Sequence, residues 1–100
     1  MSVVLCVLLW PHPGADDALV QYEDRVLVLV AEHGGRVVQR ARGDGLDGAP
    51  LEVHTLEFPS REALDSYMSD GRRTALAAER ERAVARTDVF EVRLVDPSSA

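Results

Sequence analysis

The chain has 100 residues, of which 46% are hydrophobic and 28% charged, and its formal net charge is -6. That size fits one domain, and that balance fits a soluble, globular protein rather than a disordered segment. The acidic excess argues against nucleic acid or an anionic membrane surface as a partner.

Residues 3–10 read Val-Val-Leu-Cys-Val-Leu-Leu-Trp. Eight apolar residues rich in Val and Leu predict a strand covered on both faces. Val3, Leu5, Val7 and Leu9 point one way; Val4, Cys6, Leu8 and Trp10 point the other. Helices on one side of a sheet cover only one of these sets. Leaving the other set wet forfeits roughly 1.5–3 kcal/mol per large side chain, against a total stability of about 5–15 kcal/mol. A second copy is the economical cover, so the expectation is a homodimer joined through its sheet faces. Cys6 has no cysteine to pair with and reads as a small buried hydrophobe. The run is too short to span a bilayer and has no basic segment before it, so neither a membrane anchor nor a secretory signal is expected. The cytoplasm is the expected location.

Pro11-His12-Pro13-Gly14 ends the strand. Asp16 and Asp17 suit a helix start. Leu19, Tyr22, Val26, Leu29, Val30 and His33 then fall at helical spacing, up to a stop at Gly34-Gly35. Leu27 and Val28 widen the apolar face and allow a second contact surface. Residues 36–42 form a polar, imperfectly alternating strand suited to a sheet edge. Residues 43–50 are a Gly/Asp-rich loop, the expected mobile element.

Residues 51–58 predict a third strand. Leu51, Val53, Thr55 and Glu57 share one face; Glu52, His54, Leu56 and Phe58 share the other. Pro59 stops it, and Ser60 caps a second helix with Leu64, Tyr67 and Met68 as its apolar patch. Asp70-Gly71 interrupts that helix, which resumes over 72–86 with Leu76, Ala83 and Val84 inward and mixed charges outward. Residues 88–95 are the last strand. The order β-α-β-β-α-β gives an α+β, ferredoxin-like split βαβ sandwich, one sheet with two helices on one side. Residues 1–96 make a single domain and 97–100 a tail.

The segments AEHGGRV, LEFPSREALDSYMSD and AVARTDVFEVRLV resemble domain-of-unknown-function family 1330, within the dimeric α/β-barrel superfamily. The resemblance runs from about Tyr22 to Val95. At Pro11-His12-Pro13-Gly14 the chain departs from the family pattern, which has an Asp-Pro turn there. The resemblance implies a dimeric α/β-barrel. The superfamily holds cofactor-free monooxygenases on aromatic polyketides, haem-degrading oxygenases, isomerases and small binding proteins, and fold alone does not choose among them.

The topology is expected to gather Trp10, His12, Tyr22, His54, Arg82 and Arg86 at one end of the sheet. Aromatic rings offer stacking area, histidines move protons near neutral pH, and arginines hold carboxylates or enolates. His54 and His12 are the catalytic candidates. Trp10, Tyr22 and Arg86 are the substrate-binding ones. Each has a plainer reading: His54 satisfied by a backbone or cross-strand partner, His12 an exposed loop residue, Trp10 and Tyr22 core. His33 reads as a favourable charge at a helix end. Arg72 and Arg73 either clamp an anion or lie on a solvated face. No motif spacing supports a metal or haem site, and no nucleophile elbow, phosphate loop or dinucleotide fingerprint is present.

With the resemblance, these residues suggest a small cofactor-independent enzyme. It would act on an aromatic or polyketide-like metabolite as a monooxygenase, cyclase or isomerase. The alternative is a non-catalytic dimeric module that binds a small molecule or a protein. A cavity between sheet and helices, with His54 or His12 opening into it, is the feature the enzyme requires.

Overall fold

The structure, a computed structural model, describes residues 2–99. Met1 and Ala100, the last residue of the predicted tail, lie outside them. The elements are β1 (Val3–Pro11), α1 (Asp16–Glu32), β2 (Arg36–Arg42), β3 (Glu52–Phe58), α2 (Arg61–Met68), α3 (Gly71–Thr74), α4 (Ala77–Ala83) and β4 (Val84–Val92). Short 3₁₀ turns occupy Leu46–Gly48 and Pro97–Ser99. The strands form one antiparallel sheet in the order β2-β3-β1-β4, with the helices packed on one face. This is the expected ferredoxin-like sandwich, only 17 Å through its two layers.

The local signals act as their chemistry requires. Ser60 Oγ accepts from the Ala63 N–H at 3.1 Å and caps α2. Gly34 adopts φ +76°, and Gly35 admits the chain so closely that a Cβ would stand 2.8 Å from the Glu57 carbonyl oxygen and from Phe58 Cδ1. One glycine turns the chain out of α1 and the other lets β2 lie against β3.

The last strand differs from expectation at both ends. The Arg/Glu-rich composition reads as helix through Arg86, but β4 begins at Val84. The reason is a partner: β1 extends to Pro11, and Trp10 pairs with Arg86 and Pro11 with Val84 across a bulge. Pairing overrides local propensity. At the other end Val92 pairs with Val4, so Leu94 and Val95 lie beyond the sheet, half exposed or more. Leu51 also leaves its predicted place. It precedes β3 and is buried beside Leu9 and Leu19 on the helix side.

Register places His54 opposite Val7 and Glu52 opposite Leu9, on the face beneath the helices. A bulge in β2 between Val37 and Gln39 brings Arg40 opposite His54 and Arg42 opposite Glu52. Arg36, before the bulge, pairs with Glu57 on the other face. The extra residue therefore turns two arginines inward.

The core is divided. Val3, Leu27, Val30, Leu56, Phe58, Leu64 and Tyr67 pack at one end. Leu9, Leu19, Tyr22, Val26, Leu51, Ala83 and Val84 pack at the other, and Val7 touches both clusters. The outer face carries Val4, Cys6, Leu8 and Trp10 of β1 alongside Phe90 and Val92 of β4. Phe90 is half exposed in the single chain. Among the described residues no helix is long and apolar enough to cross a membrane.

Candidate functional site

Between the two halves of the core lies a cavity of about 260 Å³. Its floor is Leu5, Val7 and Leu9 of β1, His54 and Leu56 of β3, and Thr87 and Val89 of β4. Its roof is Tyr22, Glu23, Val26 and Leu27 of α1, Leu64, Tyr67 and Met68 of α2, Arg73 of α3 and Arg80 of α4. Met68 and Val89 are about half exposed and form a rim. A dry cavity of about 150 Å³ holds one benzene, so this one has room for about two fused rings.

Glu23 is the polar centre of the roof. It sits one turn after Leu19 and one turn before Leu27, on the apolar stripe of α1, and is 6% exposed. Its carboxyl group has no hydrogen-bond partner among the described residues. Burial, then the nearby Glu52 charge, pushes its pKa up to about 7, against the weaker pull of Arg40, Arg73 and Arg80. A carboxyl group so poised is half ionised at neutral pH, the condition in which one group serves as base and then as acid.

His54 is 1% exposed, and its Nε2 lies 2.7 Å from Glu52 Oε1. Glu52 is fully buried and also accepts from Arg40 Nε at 2.8 Å, Arg40 Nη2 at 2.9 Å and Arg42 Nε at 2.8 Å. Burial alone would raise the Glu52 pKa; the bonds from Arg40, His54 and Arg42 outweigh it and hold the pKa below the ordinary value. Glu52 is therefore an acceptor only, which assigns the proton to His54 Nε2. Burial lowers the His54 pKa, partly offset by Glu52, so the ring is neutral near pH 7. Its unprotonated Nδ1 faces Glu23 Oε2 at 4.0 Å, beyond hydrogen-bond range. A buried carboxyl group with a raised pKa and a fixed imidazole lone pair thus stand side by side with a ligand-sized space before them. Arg40 also bonds Asp24 Oδ1 of α1 at 2.7 Å, tying the edge strand to the roof.

The structure separates the six residues expected to gather. His54 and Tyr22 line the cavity. Trp10 and Arg86 lie on the outer sheet face, because Leu9 turns inward and its neighbour must turn out. There the Arg86 guanidinium stacks 4.4 Å from the indole, and Trp10 Nε1 donates to the Gly48 carbonyl at 2.9 Å. His12 is exposed, with Nε2 3.0 Å from the Glu81 carbonyl oxygen, and Arg82 is exposed on α4. His33 caps α1 and pairs with Asp70 at 2.8 Å. Arg72 pairs outward with Asp70 and Glu32, whereas Arg73 lines the cavity. Tyr67 is buried core, and Met68 is rim. The sequence reading missed Glu23, Arg80 and the bonding of Glu52. The available signal for Glu23 was a carboxylate interrupting an apolar stripe at four-residue spacing on both sides. Among the described residues no three His, Cys, Asp or Glu side chains converge closely enough to hold a metal ion.

No protein-family model, that of family 1330 included, and no curated protein matches the chain. Solved structures do. A protein of unknown function from Rhodopseudomonas palustris is 18% identical with a TM-score of 0.78, over 96% of this chain and 84% of that one. SnoaB, a cofactor-independent oxygenase from Streptomyces nogalater, is 15% identical with a TM-score of 0.70, over 96% and 97%. A dimeric protein of unknown function and ferredoxin-like fold from Bacteroides fragilis is 11% identical with a TM-score of 0.71, over 93% and 96%. At these identities the likeness establishes the architecture: an α+β, ferredoxin-like chain of the kind seen in dimeric α/β-barrel proteins.

Proposed function

We propose that the protein is a small enzyme that moves protons on a planar aromatic or polyketide-like metabolite without a bound cofactor. The net outcome is cyclisation or isomerisation, or oxygenation when dioxygen serves as the oxidant and oxygen source. The observation that carries this reading is Glu23, a buried carboxyl group with no hydrogen-bond partner among the described residues, beside the His54 lone pair in a cavity walled mostly by apolar side chains. Glu23 takes a proton from a phenol, an enol or an activated C–H. His54 accepts or relays it through Nδ1. Tyr22 supplies a flat wall, and Glu52 with Arg40 and Arg42 positions His54. The likeness to a cofactor-independent oxygenase supports this reading, the segments that resemble family 1330 suggest a place near that family, and the location we propose is the cytoplasm.

We also propose that the outer face packs on a second copy. Cys6, Leu8, Trp10, Phe90 and Val92 lie together there, part-exposed or exposed and with no helix over them, and a mate would remove them from water. The rival reading, a dimeric binding module without catalysis, uses the same cavity and the same face.

The test is to soak crystals with a panel of planar phenolic acids and quinones, then assay the bound compounds for product by mass spectrometry. Density against Glu23 and His54, with product formed by the wild type and lost in Glu23→Gln, is the expected result. Density without product from any compound selects the binding module. No density in the cavity contradicts both.

A further inference from the structure

The chain is acidic overall, yet the cavity lining carries two arginines that no carboxylate bonds among the described residues. The basic residues number 11, all of them arginine. Arg25, Arg36, Arg40, Arg42, Arg61, Arg72 and Arg86 each hold a carboxylate. Among the described residues Arg73, Arg80, Arg82 and Arg93 hold none, and of these Arg73 and Arg80 line the cavity. The bonds of these two go to neutral groups. Arg73 Nη1 donates to the Met68 carbonyl at 3.4 Å, with its guanidinium 5.2 Å from the Tyr67 ring, and Arg73 Nε is buried with no partner. Arg80 Nη2 donates to Thr87 Oγ1 at 2.8 Å. Glu23, the carboxylate nearest to hand, bonds neither.

We infer that the cavity selects planar oxyanions, with a carboxylate or phenolate seated against Arg73 and Arg80 and a proton carried on Glu23 in the same complex. The inference rests on the cavity being the functional site. Two guanidiniums without carboxylates in an apolar enclosure attract an anion strongly, because little water screens them. The anion cannot sit beside an ionised Glu23, since like charges at short range exclude each other. Binding therefore couples to protonation. A phenol supplies that proton itself, and a carboxylate draws it from solution. The charged and titratable groups facing Glu23 are Tyr22 on α1, Arg40 on β2, Glu52 and His54 on β3, Tyr67 on α2, Arg73 on α3 and Arg80 on α4. Strands β1 and β4 present only Leu, Val and Thr there. His54 is the one rival acceptor, and a Glu23 variant separates the two.

The experiment is isothermal titration with 2-naphthoate and with 2-naphthamide, its uncharged counterpart, in two buffers of different protonation enthalpy. Naphthoate is expected to bind at least about tenfold tighter than the amide. Its uptake should be about half a proton per site at pH 7, rising toward one at about pH 8. Glu23→Gln should abolish the uptake and make naphthoate affinity independent of pH. Arg73→Met should cost naphthoate at least about tenfold and leave the amide unchanged. Equal affinity for the two probes, no proton uptake by the wild type, or uptake that persists in Glu23→Gln overturns the inference and leaves the cavity reading standing. Failure of both probes to bind overturns both.

Discussion

Replacing Glu23 with Gln is expected to stabilise the protein above neutral pH while removing its proton chemistry. The native state holds the Glu23 proton up to about pH 7, whereas an unperturbed glutamate releases it at 4.5. Between those values the folded chain binds more protons than the unfolded one, so stability falls as pH rises through this window. Above it the whole cost of the buried charge stands. At about 1.4 kcal/mol per pKa unit this is roughly 3 kcal/mol, and little solvent screening reduces it because the residue is 6% exposed. Glutamine keeps the shape without the charge. The two proteins should be about equally stable near pH 4.5. The variant should gain about 3 kcal/mol at pH 8, or more than about 10 °C in Tm. Urea unfolding followed by circular dichroism, at one fixed protein concentration across this pH range, measures the difference. A difference that does not change with pH, as an unburied carboxyl group would give, or one that turns against the variant as pH rises, as a paired carboxylate would give, refutes the reasoning. The expected combination, a more stable protein with no activity, is the usual signature of a group kept for function.

Glu52→Ala is expected to cost about 1–3 kcal/mol in urea unfolding, since buried His54 loses its acceptor while half-buried Arg40 keeps only Asp24 and the Val20 carbonyl; a loss under about 0.5 kcal/mol contradicts the network. Gly35→Ala should cost about 1–3 kcal/mol, because the new Cβ meets backbone and ring atoms at 2.8 Å and one of the two chains must shift. Phe90→Glu should convert a protein that elutes with the mass of two chains into one with the mass of a single chain, by light scattering at micromolar concentration. A wild type that is already a single chain contradicts the paired sheet faces.

Much of this fold was readable because its punctuation is chemical. Pro11 to Gly14, Gly34-Gly35 and Pro59-Ser60 each mark an element boundary that the structure places there. The strand face shared by Glu52, His54, Leu56 and Phe58 was readable from alternation alone, and all four are buried. The last strand was misplaced because Val84 to Arg86 are helical by composition and extended only by their pairing with Trp10 and Pro11. The site was legible only in part. His54 and Tyr22 follow from periodicity, but Trp10 and Arg86 were placed with them by their position along the sheet, and the parity of the strand sends them to the other face. The inward turn of Arg40 and Arg42 depends on a bulge that leaves no signature in Arg-Val-Val-Gln-Arg-Ala-Arg. Glu23 was hidden in the middle of α1 beside Asp24, where a carboxylate is ordinary until its neighbours at four-residue spacing are counted.

The most direct measurement is a pH titration of the Glu23 side-chain carboxyl carbon by ¹³C NMR in the ligand-free protein. The expected midpoint is at about 7. A midpoint near 4.5, the ordinary value for glutamate, would mean that the cavity does not hold a carboxyl group poised for proton transfer.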